Sequence, residues 1–204
     1  MQAADTIPLT TPDALIERYD ALLFDAYGVL VHQEGPLPGA ADVLWRLYRL
    51  GKPFFIVTNS AARLPEQAAE RYQAFGLPIE PEQIVSAGAL LKPYFHDTGL
   101  IGRRCVILGP EGTFRYVEQA GATPVGPTED FDAVVIGDQV GFPFLDSVDA
   151  VLSRLIDKFD RGEAPPLILP NPDLIYPKAH GFGITCGALA LMLEAALRQR
   201  YPDR

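Results

Sequence analysis

Two short runs without a polar residue fix most of what this chain can fold into. Ala21-Leu22-Leu23-Phe24 runs into Asp25, and Pro53-Phe54-Phe55-Ile56-Val57 runs into Thr58. An apolar run of that length without alternation predicts a strand buried on both faces, as in a parallel sheet. Thr58 follows Asp25 by 33 residues, which suits one strand–helix–strand unit. The helix of that unit is predicted over Ala40 to Leu50, where Val43, Leu44, Leu47 and Leu50 recur at helical spacing before Gly51. Both strands then end side by side at the carboxyl edge of one sheet, the edge where open α/β sheets bind ligands.

The remainder keeps alternating. Thr11-Pro12-Asp13 is a helix start, with an N-cap, a proline at N1 and an acid in the first turn. Residues 25–39 are rich in Gly and Pro and predict a loop, and Pro65 to Phe75 predicts a helix ended by Gly76. Further on, strands are expected at 105–108, 133–136 and 167–169, with helices at 111–119 and 145–159. This is an α/β chain. Its division is expected as residues 1–85 for the first part of a core, 86–170 for an inserted α/β unit, and 171–204 for a linker and a helix returning to the core. Pro165-Pro166 and the stretch from Pro170 to Pro177 serve as the joints. Residues 187–197 are apolar almost all round, so that helix is expected to be covered on most sides.

Composition excludes several functions. The 204 residues carry 26 acidic against 17 basic side chains, a net charge of −9, so a phosphate-backbone binder is not expected and no nucleic-acid partner is assigned. A local anion site remains open, because backbone N–H groups can build one. Cys105 and Cys186 cannot make a disulfide framework, which suits a reducing, cytoplasmic setting. No apolar run reaches membrane-spanning length, and Met1 to Thr10 lacks a basic region followed by an apolar one; neither a membrane anchor nor a signal peptide is expected.

Asp25, delivered by a strand into a turn that Gly28 permits, is either a nucleophile or metal ligand, or an acid that closes a turn through nearby N–H groups. Thr58-Asn59-Ser60 either meets a phosphate oxygen or caps the following helix. Asn171 and Asp173, around Pro172, either face a cleft or make Asx turns. Cys186 opens a helix, where a thiol can be activated, or is a small residue packed at a close turn. His32, His96 and His180 lack ligand spacing, so no zinc site is expected. Gly137-Asp138 is read as a loop, and Trp45 as packing.

Taken in order, these segments resemble the haloacid dehalogenase superfamily, and within it the class IIA branch of N-acetylglucosamine-phosphate, 4-nitrophenyl-phosphate and pyridoxal-phosphate phosphatases. Phe24-Asp25-Ala26-Tyr27-Gly28-Val29-Leu30 is similar to the first motif, and Val57-Thr58-Asn59-Ser60 to the second. Pro81 to Ser86 resembles the entry to an inserted cap, Asn171-Pro172-Asp173 with Tyr176-Pro177 its exit, and Cys186-Gly187-Ala188-Leu189 the start of the following core helix. The resemblance implies a Rossmann-like, three-layer core with a parallel sheet and an α/β cap. It implies a small phosphorylated metabolite as substrate. Asp25 would attack phosphorus, and Mg²⁺ would sit on the Asp25 carboxylate and the Tyr27 carbonyl. Thr58 would hold a phosphoryl oxygen, and the N–H groups near Ala26 and Asn59 would complete the cradle, with Gly28, Ser60, Asn171 and Asp173 at its margin.

Two departures qualify this. Position 27 normally carries a second Asp, the general acid–base, and here it is Tyr27, a phenol with an ordinary pKa near ~10. Asp-Ala-Tyr-Gly is instead similar to the first motif of 2-haloacid dehalogenases, whose cap is placed differently. The family pattern also continues with a Lys motif and a Gly-Asp motif, which would complete the core beyond these 204 residues. Three readings follow: a Mg²⁺-dependent phosphatase, a non-catalytic phosphometabolite-binding or interaction protein, and a hydrolytic dehalogenase. A homodimer through the cap or an exposed core surface is a further expectation.

Overall fold

The computed structural model of the protein describes residues 10–32, 34–178 and 180–202. A first sheet is built from β1 (Leu22–Phe24), β2 (Phe54–Thr58) and β3 (Ile84–Ser86), all parallel and in that order. Phe24 pairs with Ile56 and Thr58 with Ser86, so Asp25 and Thr58 emerge at one sheet edge as the apolar runs predict. The helices α1 (Pro12–Arg18), α2 (Ala40–Arg49) and α3 (Pro65–Ala74) pack on one face of this sheet. Ile16, Leu44, Leu47, Ala69 and Tyr72 meet Phe54, Ile56 and Ile84 there. Sequential parallel strands joined by right-handed crossovers put their helices on a common side, which is why α2 and α3 share it. Thr11 caps α1, its hydroxyl accepting the Ala14 N–H at 3.3 Å.

The expectation that β1 is buried on both faces is corrected by its alternation. Leu22 and Phe24 face the helices, whereas Leu23 is 68% exposed. Val57 and Val85 stand exposed on the same open face of the neighbouring strands. An apolar run reports the composition of both strand faces and not what lies against each of them.

The second unit has helices on both sheet faces. Its strands are β4 (Arg104–Leu108), β5 (Thr123–Val125), β6 (Ala133–Ile136) and β7 (Leu167–Ile168), parallel in the order β5-β4-β6-β7. Side-chain alternation divides β6 between two cores. Ala133 and Val135 pack with Phe95 of α4 (Leu91–Thr98) and Val117 of α5 (Glu111–Gln119). Val134 and Ile136 pack with Val151 and Leu155 of α6 (Phe144–Asp160).

The last helix, α7 (Cys186–Arg200), joins this second core through Cys186, Leu189, Ala190, Leu193 and Leu197. It therefore lies on the second sheet, not on the first sheet to which the sequence reading returned it. Its outer face leaves Leu191 and Met192 exposed, so it is covered along one stripe only. The Pro-rich stretch read as a joint runs into an antiparallel hairpin, β8 (Ile175–Pro177) with β9 (Phe182–Ile184). Among the described residues, no helix is long and apolar enough to cross a membrane.

Candidate active site

A cleft of about 620 Å³ opens at the carboxyl edge of the first sheet, between it and the second unit. Asp25, Tyr27, Thr58, Asn59 and Ser60 line it from β1 and β2, and Asn171 and Asp173 from the segment leading into β8. Seven of the residues singled out in the sequence thus meet in one place. Ala26 and Gly28 do not line it. Ala26 is buried, and its N–H donates to the Asp25 carboxylate at 2.7 Å. The Gly28 N–H closes the turn onto the Val31 carbonyl at 2.9 Å, with φ at +83°, a conformation that favours glycine. Both residues shape the turn that presents Asp25 and do not touch the open space.

The loop after β2 is folded by its own hydroxyls. The Ser60 N–H donates to Thr58 Oγ1 at 3.3 Å, and the Ala62 N–H to Ser60 Oγ at 3.3 Å. Asn59 Nδ2 donates to Asp173 Oδ2 at 3.0 Å, tying the first unit to the far wall of the cleft. Asn171 combines both of its expected roles. Its Oδ1 accepts the Asp173 N–H at 2.9 Å, an Asx turn around Pro172, and its residue lines the cleft. Its Nδ2 reaches Thr185 Oγ1 at 3.3 Å.

Tyr27 stands where its phenol meets a cation. Arg71 of α3 donates to Tyr27 Oη at 3.3 Å, and the Tyr27 ring lies edge-on to Tyr176 with centroids 6.4 Å apart. Arg63 and Arg71 both line the cleft, so its lining brings two guanidinium groups together with three carboxylates, Asp25, Asp138 and Asp173. Burial pushes the Asp138 carboxyl above its ordinary range, against N–H donors from Val140 and Gln139 and the nearby Arg63 charge. Burial likewise raises the Cys186 thiol to about 11, which makes it a packed residue and not an activated one.

Sequence reasoning missed Arg63, Arg71 and Asp138. Arg63 lies in the loop before α3 and Arg71 on α3 itself, and both side chains reach the cleft. Asp138, read in the sequence as a loop residue, follows β6 by two positions, and it lines the same cleft as Asp25 because the two units face each other there. Of the other residues weighed, His32 and Trp45 lie outside the cleft: His32 Nδ1 accepts the Glu34 N–H at 3.0 Å and Trp45 Nε1 donates to the Gly76 carbonyl at 2.9 Å.

The donor chemistry at Asp25, a carboxylate beside a backbone turn, is that of hard oxygen and suits Mg²⁺, which takes one or two carboxylates and fills the rest of its shell with water and phosphate. Among the described residues no group of three or more His, Cys, Asp or Glu side chains is gathered that could hold a metal ion.

The strand ends of a parallel sheet thus present an acid and a hydroxyl to a cleft that a second α/β unit faces. The model of the haloacid dehalogenase-like hydrolases matches residues 22–123, half of the chain. The chain belongs to that family, in its class IIA branch. It is 31% identical over 118 residues to a glycerol-3-phosphate phosphatase of Gallus gallus, a match covering 57% of this chain and 38% of that protein. With chronophin of Mus musculus it shares 33% identity over 186 residues, 86% of this chain and 61% of chronophin. A crystal structure from Cytophaga hutchinsonii, described as a possible sugar phosphatase of the same superfamily, superposes with a TM-score of 0.80 at 29% identity, over 94% of this chain and 68% of that one. The chain thus spans only part of the length of its curated relatives.

Proposed function

We propose that the protein is a phosphatase of a small phosphorylated metabolite, working through an aspartyl-phosphate on Asp25. The observation that carries this reading is the shared cleft of Asp25 and Thr58 at adjacent strand ends. A carboxylate oxygen of Asp25 attacks phosphorus, and the bond to the leaving oxygen breaks. Water then attacks the acyl phosphate, releasing phosphate and restoring the carboxylate. Thr58 and Ser60 direct hydroxyls at the phosphoryl oxygens, and Arg63 and Arg71 supply positive charge along the wall. Mg²⁺, held by the Asp25 carboxylate and the Tyr27 carbonyl, would neutralise phosphate charge. The second unit closes the cleft to bulk water.

The experiment is release of 4-nitrophenol from 4-nitrophenyl phosphate with Mg²⁺, compared with Asp25→Asn. Turnover by the wild type and a loss of at least about a thousandfold in the variant are expected. A wild type that releases nothing overturns the reading. That outcome favours the second one, a phosphometabolite-binding protein without turnover, which Tyr27 supports. A phenol engaged by Arg71 occupies the position of the family's acid–base carboxyl. A cytoplasmic setting and a homodimer, the latter tested by light scattering, belong to the same proposal.

A further inference from the structure

An anion cradle built from a loop must present donors to the anion and turn its carbonyl oxygens away. The loop after β2 has three carbonyls drawn off in this manner. The Ser60 carbonyl accepts the Gly88 N–H at 3.2 Å, the Ala61 carbonyl accepts Thr113 Oγ1 at 2.9 Å, and the Arg63 carbonyl accepts Tyr116 Oη at 2.9 Å. Thr113 and Tyr116 lie one turn apart on α5, a helix of the second unit, and both are buried. The direction of the Tyr116 bond is fixed by chemistry. A carbonyl only accepts, so the phenol must donate to it, and Ser86 Oγ, 2.8 Å from Tyr116 Oη, must donate to the phenol. A phenol keeps its proton at neutral pH, and burial raises the Tyr116 pKa further, so the donor is present.

The fit leaves no slack. A Cβ on Gly112 would stand 2.2 Å from the Ala62 carbonyl oxygen, and one on Gly88 2.3 Å from the Tyr116 ring. Helix and loop approach as closely as glycine permits.

We propose that Thr113 and Tyr116 are positioning residues for the anion loop, holding the Ala61 and Arg63 carbonyls away from the cleft so that the Thr58 and Ser60 hydroxyls face a phosphoryl group. This rests on the phosphatase or phosphate-binding reading of the cleft. The second unit then does more than cover the substrate: it sets the geometry of the residues that bind the phosphate.

The test is binding of inorganic phosphate by calorimetry, with thermal melting of each variant. Tyr116→Phe keeps the ring and removes the donor; Thr113→Val keeps the shape and removes the hydroxyl; Thr113→Ser keeps the hydroxyl. Each of the first two is expected to raise the phosphate Kd about tenfold, with Thr113→Ser close to wild type. With 4-nitrophenyl phosphate, the loss should fall on KM more than on kcat. Variants that melt lower but bind phosphate as the wild type does overturn the proposal, because the hydroxyls then serve packing alone. A wild type that binds no phosphate overturns the reading of the cleft and the proposal with it, and the two failures are told apart by the wild-type titration.

Discussion

Asp138 pays for its place in the cleft with part of its hydration. Its carboxyl is raised mainly by burial, while N–H donors from Val140 and Gln139 and the charge of Arg63 pull the other way. A group whose folded pKa lies above its unfolded value binds its proton more tightly when folded, so this acid adds stability as pH falls and subtracts it above the unfolded carboxylate range. Asp138→Asn keeps an oxygen for the Val140 N–H, which donates at 3.1 Å, and removes the charge. The variant is therefore expected to melt above the wild type at pH 7, with the difference vanishing toward pH 4; thermal melts across that range check it. A variant that melts lower at pH 7 would mean that attraction to Arg63 outweighs burial. Asp138 also marks where sequence reading stops. Asp25 and Thr58 were legible because each ends an apolar run, a local signal. Asp138 likewise follows one, Ala133 to Ile136, after Gly137, but that strand belongs to another sheet, and no local pattern tells that the two sheets face each other across a cleft.

At the scale of elements, the C-terminal end of α6 is anchored by a buried charge. Lys158 has a side chain only 5% exposed, with Nζ 2.7 Å from Asp130 and 2.9 Å from Glu163. Hydrogen bonds from Lys158 and Arg104 hold Asp130 down to about 2. Glu163 is lowered by Arg161 and Lys158. Their folded values lie below their unfolded ones, so the stability they bring is present above about pH 4 and is lost as pH falls toward 2. Melting temperature should fall through that window in the wild type and fall less in Asp130→Asn. At neutral pH, Lys158→Met should cost less than Asp130→Ala, which strands a buried ammonium with one partner fewer; melts of both variants at pH 7 give the comparison. The elements themselves were read well where periodicity was strong, as in α2, α5 and α6. Contacts were less legible where composition stood in for them. The prolines that suggested a joint at 170–177 sit beside and within a two-stranded hairpin, where few ladder bonds need a proline N–H. The near-uniform apolarity of α7 suggested cover on most sides, yet one stripe suffices to seat it on β6 and α6.

For the whole molecule, the question is what makes two units behave as one. Their apolar cores are separate: one lies under the first sheet, and two flank the second. The seam between them combines Leu64 packed on the second unit's core with a set of polar contacts. Thr113 reaches the Ala61 carbonyl, Tyr116 the Arg63 carbonyl, and Asn59 the Asp173 carboxylate. Such a seam contributes about 1 kcal/mol per hydrogen bond, far less than either core, and it depends on close approach. Gly112 supplies that approach, since a side chain there meets the backbone at Ala62 and Arg63, which cannot rotate aside. Gly112→Ala is compatible with the helix and even favoured by propensity, so it should leave each unit folded while wedging them apart. Differential scanning calorimetry should therefore show the coupled unfolding of the wild type resolving into two transitions in Gly112→Ala, with the lower one assigned to the small first sheet and its open face of Leu23, Val57 and Val85. Loss of one transition altogether, or a single transition shifted as a whole, would mean instead that the two units share their stability through more than this seam.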